Sequence, residues 1–310
     1  MTLPWLSKEM AALGAAYEAD RMPHALLIHE APGAGGDWLA SWIAKRVLQT
    51  DRELHPDWIN VRPSDESRQI RIEQVRELGQ ELALTSHQGG YKVGVVSPAD
   101  VLNRFAANAL LKTLEEPPQR TVLILVATQP SRLPATILSR CQRVRVSAPS
   151  RAEAVSWLES TRGKGDWNAV LDILGEAPML AAESDFAAVV QIGADARRGL
   201  EETASGRSDP VSTAERWSRE DPALRLKCFE NWLTERIRRQ TGTKGFLTEV
   251  GAGTHLSRAE TVLNIRELFE LLDGVRELKS ALETPINRGL ALEHLLRRLA
   301  GSQDRLTMMR

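Results

Sequence analysis

The first half of the chain alternates short apolar runs with segments of helical periodicity. There are five such runs, at 25–28, 58–61, 93–96, 121–127 and 144–146. The fourth run (TVLILVA) is the most apolar, and four of its seven residues are β-branched. Continuous apolar strands joined by helices are typical of a parallel sheet that is covered on both faces. We therefore predict an α/β domain built on a five-stranded parallel sheet.

The segments between the runs carry helical spacing. Apolar residues that recur at three- and four-residue intervals predict one helix around 39–47 and another around 72–82. A third helix, around 106–114, ends before Pro117 and Pro118, because a proline in a helix interior removes a hydrogen bond and clashes with the preceding turn.

The second half of the chain contains only helical patterns. Residues 151–198 predict a small helical unit, and the polar stretch 201–212 (EETASGRSDPVS) is rich in turn formers and predicts a linker. Beyond it, three sets of apolar residues each predict one buried helix face: Leu226, Phe229, Leu233 and Ile237; Ile265, Leu268, Phe269 and Leu272; and Leu292, Leu295, Leu296 and Leu299.

Composition excludes several classes of protein. The 40 Lys+Arg and 41 Asp+Glu residues give a net charge of -1, which disfavours a stand-alone nucleic-acid-binding module. Two cysteines in 310 residues exclude a disulfide framework and a cysteine-rich zinc site, so we expect no zinc. No apolar run reaches the roughly 18 residues of a membrane span, and residues 1–5 lack the pattern of a signal peptide. We expect a cytoplasmic protein.

The most informative segment is the glycine-rich turn after the first apolar run. It lies between a predicted strand and a predicted helix, where phosphate-binding loops of the GxxxxGK[ST] type occur. If Gly33 and Gly35 are aligned with the inner glycines of such a loop, Glu30 occupies the position of the first glycine. Gly36 then replaces the lysine, and Asp37 replaces the Ser/Thr.

These replacements remove what a nucleotide site needs. Gly36 has no charge for the β- and γ-phosphates, and Asp37 brings a carboxylate instead of a Mg²⁺-binding hydroxyl. At about 4 Å and an effective dielectric constant of about 20, one such repulsion is on the order of 4 kcal/mol. The strand 93–96 ends in Ser97-Pro98 instead of Asp-Glu, and we expect Asp100 to cap the next helix. We predict no bound ATP; an ordinary strand–helix turn and weak residual adenine binding both stay open.

Four segments carry a resemblance to a known family. Residues 106–118 (AANALLKTLEEPP) resemble the signature helix of the AAA+ clamp-loader subunits of bacterial DNA polymerase III. Residues 133–141 (LPATILSRC) are similar to their Ser-Arg-Cys motif, and 5–28 and 284–290 (TPINRGL) also resemble the family. The resemblance covers nearly the whole chain. It implies an AAA+ (RecA-like) domain at 1–148, a helical lid at 149–205 and an all-α collar domain for oligomerisation at 206–310.

The resemblance also implies a function. Among the members of the clamp loader, the degraded loop is typical of the subunit that is not itself an ATPase. The clamp loader is the complex that places the sliding clamp on primed DNA during replication. The implied partners are the gamma/tau ATPase subunits and the delta subunit, with clamp and DNA reached through the complex. The alternative is an active AAA+ ATPase, either a gamma-like motor or a DNA-repair enzyme.

The Ser-Arg-Cys motif contains the residue with a chemical role. Arg140 matches the arginine finger that reaches ATP bound in a neighbouring subunit, and a guanidinium suits that task because it offers five donors and a permanent charge. The alternative is that Arg140 is an ordinary basic residue on a solvated turn. Ser139 and Cys141 are expected to shape the turn instead of doing chemistry.

Other positions match family sites without matching their chemistry. Thr128 lies at the sensor 1 position, and Met179 occupies the place where active members carry the sensor 2 arginine. Glu115 and Glu116 are adjacent on a helix, so their side chains point about 100° apart and do not form an acid–base pair. Residues 48–57 lack the four cysteines that form a zinc module in many relatives. The arginines within 62–71 could meet DNA or be a solvated loop.

Overall fold

The computed structural model describes residues 2–52, 54–64, 67–87, 89–241, 264–282 and 286–301. Its strands are β1 (Ala25–Glu30), β2 (Trp58–Val61), β3 (Lys92–Val96), β4 (Thr121–Ala127) and β5 (Gln142–Val146). Its helices are α1 (Ser7–Glu18), α2 (Gly36–Leu48), α3 (Ile72–Ala83), α4 (Arg104–Glu115), α5 (Ala135–Leu138), α6 (Arg151–Arg162), α7 (Trp167–Leu174), α8 (Pro178–Glu183), α9 (Phe186–Ala204), α10 (Pro210–Arg219), α11 (Pro222–Gln240), α12 (Ile265–Ala281) and α13 (Arg288–Gly301). None of the helices in these ranges is long and apolar enough to cross a membrane.

The chain divides into two compact units. The first comprises 1–165 together with 176–182, and the second comprises 166–175 together with 183–310. The stretch 149–205, which the resemblance assigns to a separate lid, is therefore divided between the two units. The three-domain arrangement stays a prediction.

The first unit is built on a five-stranded parallel sheet with the strand order β2-β3-β4-β1-β5. Each strand coincides, within two residues, with one of the five apolar runs, so the prediction of a parallel α/β domain is confirmed. Leu27 of β1 pairs with Leu125 of β4, and its neighbour Ile28 pairs with Val144 of β5. Because all strands run the same way, their carboxyl ends and the loops that follow meet at one edge of the sheet.

Helices cover the sheet on both faces, as continuous apolar strands require. Leu27 and Leu125 form a buried cluster with Leu78 of α3 and Leu110 of α4. Helix α2 packs against β1, β3 and β4 and buries the apolar residues that predicted it: Leu39, Ile43 and Val47.

A buried ion pair lies where β3 begins. Lys92 is 2% exposed, and its Nζ donates to the carbonyl oxygen of Glu81 at 2.6 Å and lies 4.0 Å from Oδ1 of Asp57. Asp57 is fully buried and accepts hydrogen bonds from the backbone N–H of His87 and the hydroxyl of Ser86, both at 3.0 Å. Burial acts to raise the pKa of Asp57, but these bonds and Lys92 together hold it below its ordinary value.

The second unit is helical, and its core confirms two of the three predicted apolar faces. All four residues of the α11 set and all four of the α13 set are buried in one cluster with Trp217. The α12 set is only half right. Leu268 and Leu272 are buried, whereas Ile265 is 40% exposed and Phe269 is 47% exposed. The centre of the buried face of α12 lies on the side of Leu268 that is turned away from Ile265 and Phe269.

The predicted linker at 201–212 is wrong. Helix α9 continues to Ala204, and Thr203 and Ala204 are buried in the second unit. Helix α10 begins at Pro210, where the carboxylate of Asp209 accepts hydrogen bonds from two backbone N–H groups. The polar composition therefore reflects the end of one helix and the cap of the next, because capping and turn residues are the same types that occur in linkers.

Candidate functional site

The glycine-rich turn connects β1 to α2 at the carboxyl edge of the sheet. Gly33 (φ 69°) and Gly35 (φ 99°) have left-handed backbone conformations, which residues with a Cβ adopt only with strain. Gly36 and Asp37 are the first two residues of α2. The predicted strand–turn–helix setting of a phosphate loop is thus present in the structure.

The carboxylate of Glu30 lies against the amino end of α2. The backbone N–H of Gly36 donates a hydrogen bond of 2.6 Å to Oε2 of Glu30. Burial, together with the nearby carboxylates of Asp37 and Asp100, raises the pKa of Glu30, although N–H groups of Gly35 and Gly36 act in the opposite direction. The chain's own acidic side chain therefore meets the donors that would otherwise face a phosphate.

The other polar groups near the loop add negative charge. Asp37 lies 3.3 Å from the guanidinium of Arg62, an ion pair in which both side chains are about half exposed. This exposed pair partly neutralises Arg62 within the basic cluster that could meet DNA. The acidic side chains of Glu30, Asp37 and Asp100 lie at or near the loop, and the loop contains no lysine. Their negative charge would repel a triphosphate.

Asp100 does not cap the next helix, contrary to expectation. Asn103 caps α4 through its side-chain oxygen, which accepts from the N–H of Ala106 at 2.8 Å. Oδ2 of Asp100 instead accepts from the N–H and hydroxyl of Thr128, at 3.2 and 2.9 Å, and from the N–H of Gln129 at 2.8 Å. Thr128 is thereby fixed to the loop that follows β3.

Other parts of the first unit cover the glycine-rich turn. The indole N–H of Trp5 donates to the carbonyl oxygen of Ala34 at 2.8 Å, and the N–H of Met179 donates to the carbonyl oxygen of Gly33 at 3.1 Å. A Cβ on Gly33 would lie 2.6 Å from the Cβ of Ala177. Ala177 and Met179 thus contact the loop through backbone and apolar atoms.

Arg140 lies near the opposite edge of the sheet, between the short helix α5 and the first residue of β5. Its guanidinium is 2.8 Å from Oε1 of Glu115, at the end of α4, and donates to the carbonyl oxygen of Thr136 at 3.0 Å. The side chain is 36% exposed. A guanidinium held by a carboxylate and a carbonyl at the surface can turn to another anion without unfolding the turn.

The residues on either side of Arg140 have structural contacts. The hydroxyl of Ser139 donates to the carbonyl oxygen of Thr136 at 3.1 Å and accepts from Arg140 at 3.4 Å. Cys141 is buried, and burial raises the pKa of its thiol to about 11. Such a thiol is a poor nucleophile near neutral pH, which supports a role for both residues in shaping the turn.

The structure separates the predicted residues into two clusters. The loop from Glu30 to Asp37 forms one cluster with Arg62 and Met179, and the turn at Arg140 forms another with Glu115. Sequence reasoning missed the roles of Glu30 and Glu115 as partners. A signal existed for Glu30, which stands where a phosphate loop has its first glycine, but none identified Glu115.

Two further predictions are not tested by these contacts. The stretch 48–57 joins α2 to β2, and the absence of zinc stays a prediction there. Of the C-terminal motif 284–290, Thr284 and Pro285 lie outside the described residues.

Comparisons with known proteins cover both units. The family model described as DNA polymerase III, delta subunit, matches residues 6–150, and the model described as DNA polymerase III, delta subunit, C terminal, matches residues 195–301. The chain is similar to the DNA polymerase III subunit delta' of Yersinia pestis, with 32% identity over 267 residues, which is 78% of each chain. It is also similar to the subunit delta' of Escherichia coli K12, with 30% identity over 323 residues, covering 96% of this chain and 94% of the relative.

A solved structure shares the fold. The crystal structure of a DNA polymerase III gamma subunit-related protein from Thermotoga maritima aligns with a TM-score of 0.54 and 17% identity, covering 95% of this chain and 99% of that one. At this identity the likeness concerns the fold alone. It supports the arrangement of a parallel sheet followed by helices that the apolar runs predicted.

Proposed function

The chain belongs to the family of DNA polymerase III delta' subunits, and we propose that it is the clamp-loader subunit that hydrolyses no ATP itself and lends Arg140 to a neighbouring ATPase subunit. In this role it assists the loading of the sliding clamp on primed DNA. It is a subunit of the polymerase holoenzyme and has no polymerase site of its own.

The loop between β1 and α2 supports the absence of ATPase activity. The lysine and hydroxyl of a working loop are replaced by Gly36 and Asp37, and the carboxylate of Glu30 takes the N–H donor of Gly36. Asp100 lies in the region where an active site would hold Mg²⁺, but it is engaged with Thr128. Each of these features removes a contact that phosphoryl transfer needs.

The observation that carries the proposal of an arginine finger in trans is the partly exposed guanidinium of Arg140, which lies at the surface just after α5. The glycine-rich loop of the same chain holds a carboxylate of its own. The neighbour that this guanidinium would serve must be an ATPase, for which the gamma/tau subunits are the candidates. An arginine finger stabilises the charge that develops on the transferred phosphoryl group.

The second unit supports assembly with other subunits. Ile265 and Phe269 are large apolar side chains, one helical turn apart on α12, and both are substantially exposed. Paired apolar side chains at the surface suit a protein–protein interface better than solvent. We propose that this helix face contributes to a hetero-oligomeric collar with the gamma/tau and delta subunits.

The finger is tested by Arg140→Ala in a complex reconstituted with gamma/tau and delta subunits. We expect assembly to be unchanged and DNA-stimulated ATP turnover to fall by up to about 10³-fold, the lower end of the range for such fingers. Arg143→Ala, three positions along on the exposed side of β5, is the matched control and should leave turnover unchanged. Equal turnover for the two variants would remove the finger from the proposal.

A further inference from the structure

The amino end of α2 depends on a residue from outside the helix. The first N–H groups of any helix have no partner within the helix and attract an anion or a side-chain oxygen. Gly35, the residue before α2, has no side chain to supply one. The carboxylate of Glu30 supplies it from the end of β1, through the 2.6 Å bond from the N–H of Gly36.

The glycine at position 36 is not explained by its backbone. Gly36 lies within α2 and is not among the glycines with a left-handed φ, so the backbone there accepts any residue. The space beside it does not. A Cβ on Gly36 would lie 2.7 Å from the carboxyl carbon of Glu30, 2.8 Å from its Oε2 and 3.0 Å from Cγ1 of Val126.

We propose that Glu30 and Gly36 form one interdependent packing arrangement, in which the Glu30 carboxylate takes the place of a bound phosphate and would be displaced from the amino end of α2 by a side chain at position 36. This inference rests on the proposed loss of ATPase activity and explains how the loop keeps its shape without a ligand. The carboxylate can make room for a Cβ only by giving up its bond to the helix.

The contact between Glu30 and Gly36 limits attempts to introduce the lysine of a phosphate loop at position 36. Restoring a lysine at position 36 alone would displace the Glu30 carboxylate from the donors at the start of α2 and leave it buried beside Asp37 and Asp100. A side chain at position 36 is therefore accommodated only at the cost of the hydrogen bond between Glu30 and the N–H of Gly36.

The test is a double-substitution cycle read by thermal unfolding of the full chain. Gly36→Ala should lower the melting temperature by roughly 2–4 °C in the natural background, the shift expected when one buried hydrogen bond is lost in a chain of this size. In the Glu30→Ala background the same substitution should cost less than half as much, because the carboxyl group is absent and only the 3.0 Å contact with Cγ1 of Val126 remains. Equal costs in the two backgrounds, or failure of both Gly36→Ala chains to fold, would overturn the inference.

Gly79→Ala in α3 is the matched control. There the nearest atom to an added Cβ is Oγ1 of Thr113 at 3.4 Å, so alanine fits and should raise the melting temperature equally in both backgrounds. Different experimental results would overturn the inference and the proposed function. Calorimetric titration that shows binding of Mg·ATP to the natural chain would overturn the proposed function, whereas independent effects at positions 30 and 36 would overturn only the inference.

Discussion

The ion pair between Arg140 and Glu115 allows a quantitative prediction about the proposed finger. The two side chains are 36% and 52% exposed and 2.8 Å apart. Exposed pairs of this kind contribute roughly 0.2–1 kcal/mol, because water and salt screen the attraction. Moving the guanidinium from Glu115 to a triphosphate therefore costs at most about 1 kcal/mol, which corresponds to roughly a fivefold change in rate.

Glu115→Gln removes the charge and keeps the length of the side chain. Arg140 would still donate to the carbonyl oxygen of Thr136, so the turn should keep its shape. We expect ATP turnover of the reconstituted complex to stay equal or to rise by up to about fivefold, because the finger is released from a competing anion. The rise should shrink as salt increases, since salt already weakens the pair in the natural chain.

Glu116→Gln is the control for this prediction. Glu116 follows Glu115 directly but lies just past the end of α4, and Arg140 pairs with Glu115, so the loss of the Glu116 charge should not change turnover. Steady-state turnover at low and high salt is the measurement. A fall of tenfold or more for Glu115→Gln, comparable to that of Arg140→Ala, would refute the reasoning, since Glu115 would then be required instead of merely holding the finger at rest.

Three further predictions concern the rest of the molecule. Asp57→Asn should lower the unfolding free energy at neutral pH by about 3 kcal/mol, because it leaves Lys92 buried without its counter-charge. In the natural chain, the stability that ionised Asp57 contributes should be lost as pH falls below 3.8, its ordinary pKa, because its pKa is lower in the folded state; denaturant titrations along the pH scale measure both effects. Burial raises the pKa of Cys141 and of Cys228 to about 11, so both thiols should react with a disulfide reagent at pH 8 only after unfolding. Phe269→Ala should change the unfolding free energy by no more than about 0.5 kcal/mol but weaken co-elution with partner subunits; unchanged co-elution would contradict a role in the collar.

The sheet and most of the helix faces were predictable because burial leaves a direct trace in the pattern of residues. A strand that is covered on both faces has no polar side, so five continuous apolar runs are enough to indicate five buried strands. The same reasoning failed at 201–212, where a helix end and a helix cap use the residue types of a linker. It was half right on α12, because spacing identifies an apolar face but not how much of it the core covers.

The departures of residues 30–37 from the GxxxxGK[ST] pattern could also be identified in advance, because each chemical group of a phosphate loop has a fixed position in the chain. The absence of a lysine at Gly36 and the presence of a carboxylate at Asp37 are local facts. Which side chains contact those positions, in contrast, depends on the tertiary fold. Glu30 could be placed at the end of a strand, but its bond to the N–H of Gly36 depends on how the turn folds back.

The sequence by itself determined the parallel sheet, the family and the loss of the phosphate-binding groups. Only the tertiary structure decided which group each polar side chain meets, and it paired Asp100 with Thr128 instead of a helix end, and Arg140 with Glu115 instead of solvent. The reason is physical: apolar burial follows a period along the chain, whereas a hydrogen bond or an ion pair depends on distances of about 3 Å between residues that the sequence separates and the fold brings together.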